Sequence, residues 1–197
     1  MLLALTVLLL GAPQTPELSD SEVVAAIALG RATQQSFGFH AVTSASGFLQ
    51  DYTLTARGPF GRVVTAAAEA ARYGRPFTPD SVSAAMRAPV LVITAAPNDP
   101  IIARGTIEHI TSPASHMVLR VRAHGGQKPV TIQPQRVELF RVTWGNIRVG
   151  PELRSRGITA FFDLAALPAE DFDIVVIQRG GKEHRRTVKQ QDRARLR

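Results

Sequence analysis

The sequence predicts an α+β protein in which short helices pack on a C-terminal antiparallel β-sandwich. Three observations predict it. Helical spacing of apolar residues is confined to the stretch before Pro89. After Pro89 the pattern changes to seven or eight short strand-like runs over about 100 residues, the mark of a sandwich or barrel. Gly, Pro and Asn pairs separate those runs: Pro97-Asn-Asp-Pro100, Gly125-Gly126, Gly145-Asn146, Gly150-Pro151 and Gly180-Gly181. With 197 residues, 45% of them hydrophobic, the chain is long enough to bury a sizeable core without disulfide or metal staples.

The elements follow in order. Residues 1–12 are expected to be a signal peptide: Leu2–Leu10 is nearly all apolar, too short to span a bilayer, and Gly11-Ala12 follows. The alternative is a buried strand or helix of the fold. Residues 13–88 form the helical segment. Ser19-Asp-Ser-Glu22 is a capping box, so a helix starts there and carries Val23, Val24, Ile27 and Ala28 at helical spacing, with Gly30 near its end. Phe37, Phe39, Val42, Phe48, Tyr52 and Leu54 sit among Gly and Ser and read as loop plus one or two strands. A second helix opens at Gly58-Pro59, with Pro at the first helical position, and stops by Gly74. Its apolar residues are mostly Ala, so it approaches neighbours closely and buries little area. A third, short helix starts at Thr78-Pro79, turns Val82, Ala85 and Met86 to one side, and ends at Pro89.

Residues 89–190 form the sandwich. Its strands are expected at Val90–Ala95, Thr106–Thr111, His116–Ala123, Val130–Ile132, Arg136–Trp144, Ile158–Leu164, Ile174–Arg179 and Glu183–Lys189. In His116–His124 the alternation sends Met117, Leu119, Val121 and Ala123 inward. His116, Val118, Arg120, Arg122 and His124 then form a wet, basic outer face. Ile174-Val-Val-Ile177 is apolar on both faces and belongs in the middle of a sheet. Gly180-Gly181 closes a hairpin to the basic strand after it. Residues 191–197 are a basic tail.

One stretch carries a resemblance. Asp163-Leu-Ala-Ala-Leu-Pro-Ala-Glu-Asp-Phe-Asp-Ile-Val-Val176 resembles the corner before the penultimate strand of immunoglobulin-like sandwich domains of secreted bacterial proteins. The resemblance implies an immunoglobulin-like sandwich, with adhesion, assembly or ligand presentation as its roles. Phe172 stands where such corners often carry Tyr, so no hydroxyl can bond back to the backbone. Trp144 is a candidate core tryptophan.

Cysteine is absent, which excludes thiol catalysis, thiolate metal sites and a disulfide framework. No G-x-S-x-G, S-x-x-K, H-E-x-x-H, P-loop or G-x-G-x-x-G motif occurs. Gly58-Pro-Phe-Gly-Arg62 could hold an anion at a helix start beside Arg57 and Arg62, although Gly-Pro is foremost a start signal. The histidines are His40, His109, His116, His124 and His184; their spacing forces no metal site. Asp163, Glu170, Asp171 and Asp173 make the densest acidic patch. Asp163, Asp171 and Asp173 are the candidate calcium ligands, against the plainer reading of a solvated corner. No cofactor is implied.

The net charge of +7 is unevenly placed. Residues 182–197 carry Lys182, Arg185, Arg186, Lys189, Arg193, Arg195 and Arg197 against Glu183 and Asp192, while the rest of the chain is nearly neutral. Such a run grips anions or guards a sheet edge. The candidate binding residues are therefore His116, Arg120, Arg122, His124, Arg185, Arg186 and Lys189. The expected partner is an anionic envelope component or another protein. Nucleic acid is disfavoured by export and by the lack of aromatic residues in the run, and no transmembrane span is expected. The function expected is a non-enzymatic binding or structural module of the cell envelope, secreted or periplasmic. The alternative is a hydrolase whose site is assembled only in three dimensions, from His40, Asp51 or the Asp163–Asp173 patch.

Overall fold

The computed structural model describes residues 16–43, 51–99, 101–103, 106–109, 111–121, 128–144 and 153–196. Three helices are present among them: α1 (Asp20–Thr33), α2 (Pro59–Arg72) and α3 (Ala84–Arg87). The strands are β1 (Phe39–Thr43), β2 (Tyr52–Arg57), β3 (Val90–Pro97), β4 (Ile101–Ala103), β5 (Thr106–His109), β6 (Ala114–Val121), β7 (Thr131–Ile132), β8 (Arg136–Trp144), β9 (Leu153–Asp163), β10 (Phe172–Gln178) and β11 (Glu183–Val188). Two antiparallel sheets dominate, in the orders β1-β2-β3-β9-β8 and β11-β10-β6-β7; β4 and β5 form a small hairpin. The protein is α+β. The segment before residue 89 contributes two full strands to the five-stranded sheet as well as its helices.

The helices start where local chemistry says they should. Ser19 and Glu22 form the reciprocal capping box, satisfying two amides at the start of α1. Pro59 occupies the first turn of α2. The buried side of α1 is Val23, Ala26, Ile27 and Gly30, whereas Val24 is 56% exposed. Gly30 sets that face. A Cβ there would come within 2.4 Å of the Val64 carbonyl, so only glycine lets α1 lie on α2. The two helices share a small apolar cluster of their own with Leu18, Val63, Ala67 and Val82. The expected third helix splits in two. Pro79–Ser81 is one 3-10 turn, and α3 restarts after Ser83.

The main core lies between the sheets. Alternate residues of β3 (Leu91, Ile93, Ala95) and β9 (Ile158, Ala160, Phe162) face Met117, Leu119, Phe172, Ile174 and Val176. This is the period-two burial of a strand with one face inside. β10 is central, between β11 and β6, as its apolar run requires. The hairpin to β11 turns through Gly181, whose φ of +81° favours glycine. The C-terminal segment is anchored: Gln190–Arg195 forms a 3-10 turn that inserts Leu196, 2% exposed, into the main core. Trp144 is not a core residue. It lies partly exposed at the end of an edge strand and donates from Nε1 to Asp99.

Candidate functional site

The helices and the sheets do not meet flush. A cleft of about 680 Å³ opens where the residues leading into α1, the start of α2, the β9–β10 corner and the C-terminal turn converge. Its walls are mainly apolar: Leu18, Phe37, Phe60, Leu164, Leu167 and Leu196, with Glu17, Glu22 and Arg193 at its polar margin. Local sequence explains each wall. Pro59 and Phe60 are placed by the Gly-Pro helix start. Phe37 packs edge-on against Phe60, with ring centroids 5.8 Å apart. Leu164 and Leu167 belong to the short turn after β9, which Asp163 caps by accepting from the Ala165 amide. The volume and apolar lining are those of ligand-binding sites.

At the opposite end of the sheets lies a buried polar cluster. His184 of β11 is fully buried and faces inward, in register with Val176. Its Nδ1 is 3.1 Å from Asp51 Oδ2, and Asp51 is itself only 2% exposed. Neither ring nitrogen of His184 makes a hydrogen bond among the described residues, so the approach to Asp51 is one of distance only. The Tyr52 ring stands edge-on to the imidazole, and its hydroxyl donates to the Ser112 carbonyl. Asp51 also ties strands together through its backbone. Its amide donates to Thr43 O, and its carbonyl accepts from Asn98 N. Burial holds the His184 imidazole below its ordinary pKa, opposed by the Asp51 carboxylate and reinforced by Lys182. Burial likewise pushes the Tyr52 phenol up to about 12. The neutral imidazole is thus the favoured form in the fold.

The outer face of β6, β10 and β11 is not the free basic surface the alternation implied. Arg120 donates both terminal nitrogens to Glu183, at 2.9 and 3.0 Å, and Arg185 donates to the same carboxylate. Register explains the reach. Arg120 lies opposite Asp173, Val118 opposite Val175, and Glu183 opposite Ile177, so the ion pair runs diagonally across Val175. That bridge is why Val175 is fully buried on an outward face. The guanidinium hydrogen bonds hold the Glu183 carboxyl down at about 2. His116 Nε2 sits 3.0 Å from Gln133 Oε1. Arg186 and Lys189 are exposed, and Arg122 and His124 lie outside the described residues.

The three aspartates singled out for calcium hold separate posts. Asp163 caps the turn after β9, Asp171 accepts from the Gln190 amide, and Asp173 accepts from Thr187. Among the described residues no group of three or more His, Cys, Asp or Glu side chains gathers in a way that could hold a metal ion. Each of these carboxylates accepts a local hydrogen bond. At the start of α2, Arg62 donates to the Met86 and Ala88 carbonyls, so it closes α3 rather than facing an anion. His40 and Asp51, named for a hydrolase, differ in setting: His40 is exposed on β1 and Asp51 is buried.

No protein-family model matches the chain, and no curated protein or solved structure matches it. Among the described residues no helix is long and apolar enough to cross a membrane.

Sequence reasoning missed the cleft and the buried pair. The cleft is built from side chains of five separated segments, and its walls are mostly apolar residues that no motif marks. His184 lies within the basic run, where flanking Lys and Arg make every residue look exposed. Its shared parity with Val188 was the available signal for an inward position.

Proposed function

We propose that the protein is an exported, non-enzymatic binding module of the bacterial cell envelope, secreted or periplasmic, built on an immunoglobulin-like sandwich. It holds an apolar group of its partner in the cleft beside the helices. The observation that carries this reading is the cleft itself, with apolar walls drawn from both the helical cap and the sandwich. Strand order supports the immunoglobulin-like assignment. Taking β2, β3, β6, β8, β9, β10 and β11 as strands A, B, C, D, E, F and G gives A-B-E-D in one sheet and G-F-C in the other. β7 then extends the second sheet in the place of strand C′, and α2 and α3 are an insertion between A and B.

Export is supported by the apolar run Leu2–Leu10 followed by small residues. The hydrolase alternative gains nothing from the one buried His–Asp pair, because His184 is closed off from solvent and borders no described cleft. The test is fluorescence titration with anilinonaphthalene sulfonate, an amphipathic anion whose emission rises in apolar surroundings, in enough salt to screen its charge. The native protein is expected to bind it saturably, and Leu167→Gln to weaken binding while circular dichroism shows the sheets retained. Undiminished binding by that variant contradicts the cleft reading. Fusion of residues 1–17 to alkaline phosphatase, a reporter active only after export, tests the localisation separately.

A further inference from the structure

A second surface lies away from the cleft. β3 pairs with β9 only between Ile158 and Asp163, whereas β8 keeps its register with β9 as far as Trp144 opposite Leu153. The β8–β9 pair therefore continues as a two-stranded arm beyond the last β3–β9 pair. β8, nine residues without Gly or Pro, is the sheet edge and has no second strand beside it among the described residues. A free edge of this length is a template for another strand.

The two faces of the arm differ. On one, the Phe140 ring covers Gly157, where a Cβ would come within 2.2 Å of it, and Ser155 Oγ donates to the Thr111 carbonyl. On the other, Val137 and Leu139 are 37% and 50% exposed. Next along that face, Arg141 lies directly opposite Arg156. Both are exposed, and neither has a hydrogen bond or ion pair among the described residues. Like charges placed opposite each other on neighbouring strands are destabilising. A cation that merely guards against aggregation belongs on the edge strand. In the two-stranded arm β9 is an edge as well, so guarding accounts for a charge on each strand but not for setting two like charges directly opposite each other.

We propose that the β8 edge receives an extended, acidic segment of a partner protein as an added strand. Main-chain hydrogen bonds supply the pairing. Alternate apolar residues of the added segment cover Val137 and Leu139, and the next acidic residue on the same face meets Arg141 and Arg156. The recognised pattern is two alternate apolar residues followed, again in alternation, by Asp or Glu.

The probe is a fluorescein-labelled nine-residue peptide with Val at two alternate positions, Glu at the next two and Thr between, read by anisotropy. The expected result is saturable binding to the full-length protein. Methylating alternate backbone nitrogens of the peptide, which removes strand pairing and keeps charge, is expected to weaken it about tenfold or more. Arg141→Glu and, separately, Arg156→Gln are each expected to weaken it while the melting temperature stays the same or rises, since each relieves the repulsion. Absence of saturable binding overturns the proposal. Equal binding of the methylated peptide, or equal loss of heparin binding in the same variants with no peptide preference, also overturns it and leaves general attraction of polyanions.

Discussion

Where β3 begins and β9 finishes, the core is closed by Phe162, Phe172, Val188 and Leu196; where β10 reaches Gln178, it is closed by Asp51, Tyr52 and His184. The first end relies on area. Apolar contact has no direction, so helices of a different period can rest against it and leave a cleft between them. The second end relies on geometry. A buried carboxylate and imidazole must meet each other and their neighbours, or the cost of desolvation is left uncompensated. Adaptable recognition fits the apolar end. Fixed register, joining the start of β2 in one sheet to the edge strand β11 of the other, fits the polar one.

Truncations separate the two ends most strongly. His184→Ala removes a fully buried imidazole that faces Asp51 and is expected to cost about 3 kcal/mol in urea denaturation. Leu196→Ala at the apolar end is expected to cost about 2 kcal/mol, because the terminal turn can collapse into the space. A costlier Leu196 variant would reverse the assignment of which end sets the fold.

Acid sharpens the comparison: near pH 6 it acts on the buried histidine of the polar end, whereas Glu22 at the margin of the apolar end, held down by Ser19, responds only in the carboxylate range. The imidazole of His184 is held below 6.5 in the folded chain, so below that pH the unfolded chain takes up the proton first. Stability is expected to be complete above about pH 6.5 and to fall as pH drops below it. The slope should shrink in His184→Ala, leaving the share of His40, whose imidazole is also held down by burial and by Arg57. A second, separate loss is expected below about pH 4.5 as Glu183, held at about 2, loses its advantage over the unfolded carboxyl. Glu183→Gln is expected to shrink that lower limb. It should cost only about 1 kcal/mol at neutral pH, since the pair lies partly exposed on the outer face.

Much of this architecture was legible in the residues. Ser19 with Glu22, Pro59 after Gly58, the run Ile174–Ile177 and Gly180-Gly181 each specify their element through local chemistry alone. What was hidden depended on partners distant in the chain. Val24 looks as apolar as Val23, but Gly30 decides which face of α1 meets α2. The outer face of β6 reads as basic because Glu183, which neutralises Arg120, arrives on a strand two places across the sheet. The aspartates near residue 171 cluster in sequence, yet capping and strand register draw their side chains to different hydrogen bonds. Arg141 and Arg156 are unremarkable in sequence, and only pairing places them opposite each other.

The most direct test of binding at the apolar end is an amide chemical-shift titration of the labelled protein with anilinonaphthalene sulfonate. The account predicts that the amides of Phe37, Phe60, Leu164, Leu167 and Leu196 move together while those of Asp51, Tyr52 and His184 stay in place. Movement centred on Asp51, Tyr52 and His184, with the cleft residues unshifted, would contradict it.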